Sequence, residues 1–274
     1  MLLARRIVFA TLRPNRSQSL VISLQHKLLT PRMTTVVDSV SSPPSGGASK
    51  APEPPEPEVY SDRWEMIWGA GLARGERWDA AAASPAIVDL LRSGKIDVKG
   101  ARVLVPGCGR GYDLPVFASS GAREVVGLEL APTAVGEARA YLQEVNAAEG
   151  APAGDMRVEE GDFFLWTDPR GGDGSWDVGF DYTFGCAMQP NARQQWAHHW
   201  GRHVRSGGVL VTLVFPVNSE ADPNVGPPFP VSPELYSEML IPQCFEMTYK
   251  EPVPRELSHP SRAGREVMMV WRKK

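Results

Sequence analysis

"VLVPGCGRGYDLPVFA", residues 103–118, decides how this chain is read. Val103, Leu104 and Val105 are apolar without alternation, which marks a strand buried on both faces. The run ends at Pro106 and opens into Gly107, Cys108, Gly109, Arg110 and Gly111. Glycine lets a backbone take positive φ and lets a ligand come close. A short helix over "YDLPVFASSG" follows, interrupted at Pro115, and the free N–H groups of its first turn suit an anion. A dinucleotide would call for G-x-G-x-x-G. Here the third glycine comes one residue early, and that tighter loop also fits a smaller anion, such as the carboxylate of S-adenosylmethionine.

Working outward, the same grammar repeats. Strands are expected at "ARVLVPG", "EVVGLEL", "MRVEEGDFF", "WDVGFDYTFG" and "GGVLVTLVFP", with two closing strands at "FEMTYKEP" and "REVMMVWRKK". Helices are expected between them at "APTAVGEARAYLQEVNAAEG", "NARQQWAHHWGRHV" and "SPELYSEML". Two further helices precede the first strand. One is "SDRWEMIWGAGLA", capped by Ser61 or Asp62. The other is "SPAIVDLLRSG", with Ser84 as N-cap and Pro85 in its first turn. Strands alternating with helices mean βαβ units and a mostly parallel α/β sheet. Ligands of such sheets sit beyond the carboxyl ends of the strands, so the loops after residues 105, 128, 161, 182 and 215 deserve inspection.

Composition bounds the partners. The chain has 274 residues and a formal net charge of −3, and nothing in this balance points to a nucleic-acid or anionic-membrane binder. Cys108, Cys186 and Cys244 are odd in number and far apart, so neither a disulfide framework nor a zinc site is expected. No apolar run approaches the roughly 20 residues of a membrane helix. Residues 1–37 carry Arg5, Arg6, Arg13, Arg16, Lys27 and Arg32 and no acid, which reads as a mitochondrial or plastid transit peptide, or else a disordered tail on a cytoplasmic protein. Residues 38–58 hold six prolines in "SSPPSGGASKAPEPPEPE" and read as a linker. The folded domain is therefore 59–274.

Several residues converge on the glycine loop. Glu129 ends the second strand 22 residues after Gly107, a spacing at which an acid accepts from both ribose hydroxyls. Asp162 and Phe163 end the third strand, where a carboxylate can accept from an adenine amino group and a ring can cover the base. Trp64 and Trp68 are four apart and share a helix face; tryptophans of this kind also close over a cation such as a sulfonium. His198, His199 and His203 read as a solvated face of an amphipathic helix, since their spacing does not suit a metal pair. Cys108 reads as a small packing residue. No metal site is expected.

Taken in order, "WEMIW", "RWD", "VLVPGCGRGYD", "VGLEL", "EEGDFF", "FDYTFGCAM" and "VTLVFP" resemble the thiopurine S-methyltransferase family, in its thiol and halide methyltransferase branch, over about residues 60–272. The resemblance implies a Rossmann-like class I S-adenosylmethionine-dependent methyltransferase. It has a seven-stranded, mostly parallel sheet and an N-terminal helical lid. It implies that Trp64, Trp68 and Trp78 border the cofactor, with Gly107 and Gly109 under its methionine part, Glu129 under the ribose, and Asp162 and Phe163 framing the adenine. Tyr182 would face the methyl-transfer region and place the acceptor, with Phe184 and Met188 beside it. The chain departs from its look-alikes in the longer "GAGLARGER" segment before Trp78, in Glu129 where Asp is common, and in Gly185 where a bulkier residue is frequent; Gly185 is expected to widen the acceptor pocket. The loop 218–229 would pass over the site as a lid. The implied reaction moves a methyl group from S-adenosylmethionine to a thiol, bisulfide or halide by in-line displacement, in a monomer, with no dedicated general base. The same fold acting on an oxygen or nitrogen acceptor, or binding without turnover, is the alternative.

Overall fold

The fold is seen in a computed structural model that describes residues 57–218 and 220–274. The transit-peptide reading of residues 1–37, and the linker up to residue 56, lie outside the described residues. Helix α1 (Pro57–Gly69) starts four residues before the expected caps, because Pro57 occupies the first turn, where its missing N–H costs nothing. It is followed by α2 (Pro85–Arg92), β1 (Arg102–Pro106), α3 (Leu114–Ser119) and β2 (Glu124–Glu129). Pro115 does not interrupt α3; it stands in the first turn, for the same reason as Pro57. Next come α4 (Pro132–Ala147), β3 (Asp155–Glu160), β4 (Trp176–Tyr182) and α5 (Arg193–His203). The chain closes with β5 (Val204–Val214), α6 (Pro233–Leu240), β6 (Phe245–Pro252) and β7 (Val267–Lys273).

The seven strands form one sheet in the order β3-β2-β1-β4-β5-β7-β6. The first five are parallel, and β7 runs antiparallel to both β5 and β6. Alternation within the buried strands sends residues to two cores. Val103 and Val105 pack with α2, α3 and α4 through Ile87, Phe117 and Val135. Leu104 faces the other side with Trp196, Trp200 and Met239 of α5 and α6. The histidine reading of α5 is corrected here. His203 is buried against the second core, and because a carbonyl only accepts, its Nε2–H must donate to the Phe163 carbonyl at 3.2 Å. The face is solvated only at His198; desolvation pushes His199 down to about 4.

This topology has two consequences for function. The chain reverses sheet direction between β1 and β4, so the loops after both strands open onto one crevice. The antiparallel β7 also brings the segment before Val267 to the same edge as the carboxyl end of β5, since Val214 pairs with Val267.

Candidate functional site

One cavity of roughly 1380 Å³, its mouth included, lies on that crevice. All nine residues singled out from the sequence line it: Trp64, Trp68, Trp78, Gly107, Gly109, Glu129, Asp162, Phe163 and Tyr182.

The glycine loop forms the floor on the β1 side. Gly107 and Gly109 have φ of 58° and 53°, and a methyl group on Gly107 would stand 2.5 Å from a ring carbon of Phe184. Glu129 ties this floor to the end of β2. Its Oε2 accepts from the Gly109 amide at 2.9 Å, and its Oε1 accepts from the amides of Leu130 and Ala131. Burial raises its carboxyl above the usual range, and the three amides pull it back. At the end of β3, Asp162 accepts from the Phe164 amide at 2.8 Å. Phe163 is 3 % exposed and lies within about 5 Å of the Phe184, Trp200 and His203 rings, so it borders the cavity from within the core.

The tryptophans form the opposite wall. Trp64 and Trp78 meet edge to face at 5.5 Å, and Trp68 packs with them against Ala131 and Ala134 at the start of α4. Glu65 fastens this lid by accepting from the Thr133 amide at 2.9 Å. The longer "GAGLARGER" segment folds back through Asp79, which sequence reasoning missed. Asp79 accepts from Arg110 Nε at 2.8 Å, from the Tyr112 hydroxyl at 3.3 Å and from the Ala81 amide at 2.7 Å. Arg110 also pairs with Glu137, donates to the Leu72 carbonyl and lies 5.4 Å from the Trp68 ring. The signal was present: Arg110, Tyr112 and Asp113 all belong to "GRGYD".

The β4–β5 half is different in character. Phe180, Tyr182, Phe184, Met188, Phe215, Pro227 and Pro228 give it apolar walls, with Phe184 and Met188 placed as expected. Two basic side chains, His259 and Arg262, face into it. Sequence reasoning missed both, because they lie in an irregular stretch before β7 that only the antiparallel return brings here. Arg262 is buried. It sits 4.7 Å from the Tyr182 ring and 5.3 Å from the Phe215 ring, and it donates to the Trp78 carbonyl. Among the described residues no carboxylate lies within 4 Å of its guanidinium. His259 is 9 % exposed, and its Nε2 has no partner. Desolvation and the Arg262 charge push it below the usual imidazole value, so it is neutral at pH 7. The Tyr182 hydroxyl donates to Glu266 Oε1 at 2.6 Å. Burial and the Glu266 charge push this phenol far up, so it keeps its proton.

Three other expectations meet the structure here. Gly185 does not line the cavity; a methyl group there would strike the Tyr236 hydroxyl at 2.5 Å, so this glycine makes room for α6 and not for an acceptor. The 218–229 loop reaches the cavity through Pro227 and Pro228, and the Phe229 amide donates to the Cys186 carbonyl at 2.7 Å. Cys108 touches the cavity, but burial and the Glu129 charge push its thiol well up, as befits a packing residue rather than a nucleophile.

The β3–β2–β1 half fits S-adenosylmethionine on chemistry. Carboxylates stand at the ends of β2 and β3 for hydroxyl and amino donors. The loop backbone has no side chains at Gly107 and Gly109, and indole faces suit a sulfonium. Among the described residues no cluster of His, Cys, Asp or Glu is arranged to hold a metal, and no helix is long and apolar enough to cross a membrane.

Comparison with known proteins agrees with this geometry. The chain is 36% identical over 216 residues to an Arabidopsis thaliana protein named probable thiol methyltransferase 2, covering 79% of this chain and 87% of the relative. It is 30% identical over 239 residues to thiocyanate methyltransferase 1 of the same plant, covering 85% and 96%. In fold it is similar to the Burkholderia thailandensis 1,6-didemethyltoxoflavin-N1-methyltransferase, solved with its substrate and S-adenosylhomocysteine, with a TM-score of 0.60 at 18% identity over 83% of this chain and 93% of that one. The thiopurine S-methyltransferase family model matches residues 59–274, so the chain belongs to that family of S-adenosylmethionine-dependent methyltransferases.

Proposed function

We propose that this enzyme methylates a small sulfur nucleophile, taken up as or converted to its anion, at the β4–β5 end of the cavity. The reading is carried by one observation: among the described residues, the buried guanidinium of Arg262 has no ion-pair partner and sits between apolar and aromatic walls. A soft anion is large and weakly hydrated, so it tolerates such walls, and Arg262 balances its charge where water does not. The names of the plant relatives point in the same direction.

In this reading Glu129, Asp162, Phe163 and the glycine loop hold S-adenosylmethionine, and Trp64, Trp68 and Trp78 close over it. Bound there, the cofactor supplies a methyl group already activated by its sulfonium. What remains for the protein is placement. Tyr182, Phe184 and Met188 hold the acceptor in line and exclude water, and alignment of this kind contributes on the order of 7–11 kcal/mol. The hydroxyl of Tyr182 donates to Glu266, so toward the acceptor it offers its ring and an oxygen lone pair, not a free O–H.

The test uses the full-length chain with S-adenosylmethionine, offered bisulfide, an aromatic thiol and iodide separately, with S-adenosylhomocysteine and methylated product followed by mass spectrometry and headspace analysis. Methylated sulfur product is the expected result. Iodide is the second acceptor that the Arg262 environment favours, since it shares the soft, anionic character. Turnover restricted to oxygen or nitrogen acceptors would refute the proposal.

A further inference from the structure

Behind the acceptor wall lies a group that simple alignment does not use. Glu266 immediately precedes β7, is 3 % exposed, and has one described side-chain partner, the Tyr182 hydroxyl. Its second oxygen, Oε2, is buried with no hydrogen-bond partner. A carboxylate desolvated in this way is costly to the fold unless it is used. Glu266 does not line the cavity, but Tyr182, which hydrogen-bonds it, does.

We infer that Glu266 is the proton store for protic acceptors, reached through the hydroxyl of Tyr182. The inference rests on the proposed sulfur acceptor. A thiol enters with its S–H directed at the Tyr182 oxygen. The S–H bond breaks and a new Tyr O–H bond forms, while the original phenolic proton passes 2.6 Å to Glu266 Oε1. The electron pair stays on sulfur as thiolate, Tyr182 ends neutral, and Glu266 ends protonated. Arg262, 4.7 Å from the same ring, faces the new anion. Methyl transfer then forms the carbon–sulfur bond of the product and leaves neutral S-adenosylhomocysteine. The proton returns through Tyr182 to water once the product departs. The pair can run this relay because Tyr182 is held as the phenol and never has to become a free phenolate.

The relay matters for one class of acceptor. At pH 7 a thiol of pKa about 8.5 is only about 3 % thiolate, so a working proton store is worth up to about 30-fold. Iodide has no proton and gains nothing. The charged and titratable groups around the relay are Arg262 and His259 on its own segment, Asp113 at the start of α3, and Arg265, which lies 5.1 Å from the Phe215 ring.

The experiment compares the full chain with Glu266→Gln and Tyr182→Phe at saturating S-adenosylmethionine. Turnover of an aliphatic thiol of pKa about 8.5 and of iodide is followed from pH 6 to 9, and cofactor binding is measured by calorimetry. Gln keeps an acceptor for the Tyr182 hydroxyl, and Phe keeps the ring. Both variants should lose about 30-fold with the thiol at pH 7, recover about tenfold per pH unit as the free thiol ionises, and lose at least tenfold less with iodide. Combining the two substitutions should add little. Equal losses with both acceptors, or a thiol rate in Glu266→Gln with the wild-type pH profile, would make the pair a structural tether and overturn the inference. A thiol-specific loss in His259→Asn with none in Glu266→Gln would place the proton on His259 and also overturn it. If the wild type methylates no sulfur acceptor, the proposed function fails first; if it does and the variants show no split, the relay fails alone.

Discussion

Gly107→Ala is the most direct probe of the cofactor floor, and its cost can be worked from two contributions. The first is conformational. Gly107 has φ +58°, and an L side chain in the left-handed region costs about 1–2 kcal/mol. The second is contact. The new methyl would lie 2.5 Å from Phe184 Cδ2, 3.2 Å from Cγ and 3.3 Å from Cβ, so the ring must move. That ring is held edge to face by Phe163 at 5.1 Å, and overpacking of this kind costs about 1–3 kcal/mol. The sum is about 2–5 kcal/mol. Gly109→Ala is the internal control: it has φ +53°, but its nearest neighbour is Trp68 Cζ2 at 3.6 Å, an ordinary contact, so only the conformational 1–2 kcal/mol applies. Thermal unfolding of the cofactor-free full-length chain reads the difference. With about 2–4 °C per kcal/mol for a domain of this size, Gly109→Ala should melt roughly 2–8 °C below wild type and Gly107→Ala several degrees lower again. Phe184→Leu should remove part of the extra penalty when combined with Gly107→Ala, a coupling that independent sites do not show. Equal melting of the two glycine variants, or strict additivity with Phe184→Leu, would refute the contact argument.

Glu129→Leu removes the carboxylate proposed to hold the ribose. At about 1.5–3 kcal/mol for hydrogen bonds to a charged group, the S-adenosylmethionine Kd measured by calorimetry should rise about 10- to 150-fold. Arg110→Met strands the buried Asp79 carboxylate and should cost about 3–5 kcal/mol in urea unfolding, with Glu137 contributing little because its side chain is 47 % exposed. Asp181 tests pH linkage. It accepts from the Gly185 amide and from the indoles of Trp196 and Trp200, yet burial pushes its carboxyl up to about 6 from 3.8. As pH rises from about 4 to 6 the unfolded chain loses this proton first, so the native state loses stability in that window. Asp181→Asn removes the titration, and its melting temperature relative to wild type should therefore rise between pH 4 and pH 6.

Much of this was legible because the relevant signals are local. "VLVP" has no polar residue to give one face to water, so β1 reads as a central strand, and the glycines after it read as a ligand loop. Glu129 follows an apolar run, while Asp162 and Tyr182 close segments rich in β-branched and aromatic residues that are bounded by glycine, and this places all three near carboxyl ends of strands. The errors came where one residue type serves two environments. His203 looked polar on a helix of low hydrophobicity, and only the backbone carbonyl of Phe163 explains its burial. Gly185 looked like space in a pocket, but the space belongs to Tyr236, 51 residues later in the chain. Arg262, His259 and Glu266 were invisible for a topological reason. They lie outside every strand and helix, and they reach the site because β7 runs backwards beside β5.

That reversal also explains how the site divides its labour. Both carboxylates at the β3–β2–β1 end are tied to backbone amides, Glu129 to three of them and Asp162 to one. Ligands held there meet a surface fixed by the sheet. At the other end the polar groups are not tied in this way. Among the described residues Arg262 lacks a carboxylate partner, His259 Nε2 and Glu266 Oε2 lack any, and the Tyr182 hydroxyl donates a 2.6 Å bond to Glu266. A charge left uncompensated in low dielectric attracts whatever anion completes it far more strongly than it would in water. The acceptor end is therefore selective for charge and softness rather than for a particular shape. A family of small nucleophiles can then share one enzyme, while the cofactor end stays the same for each.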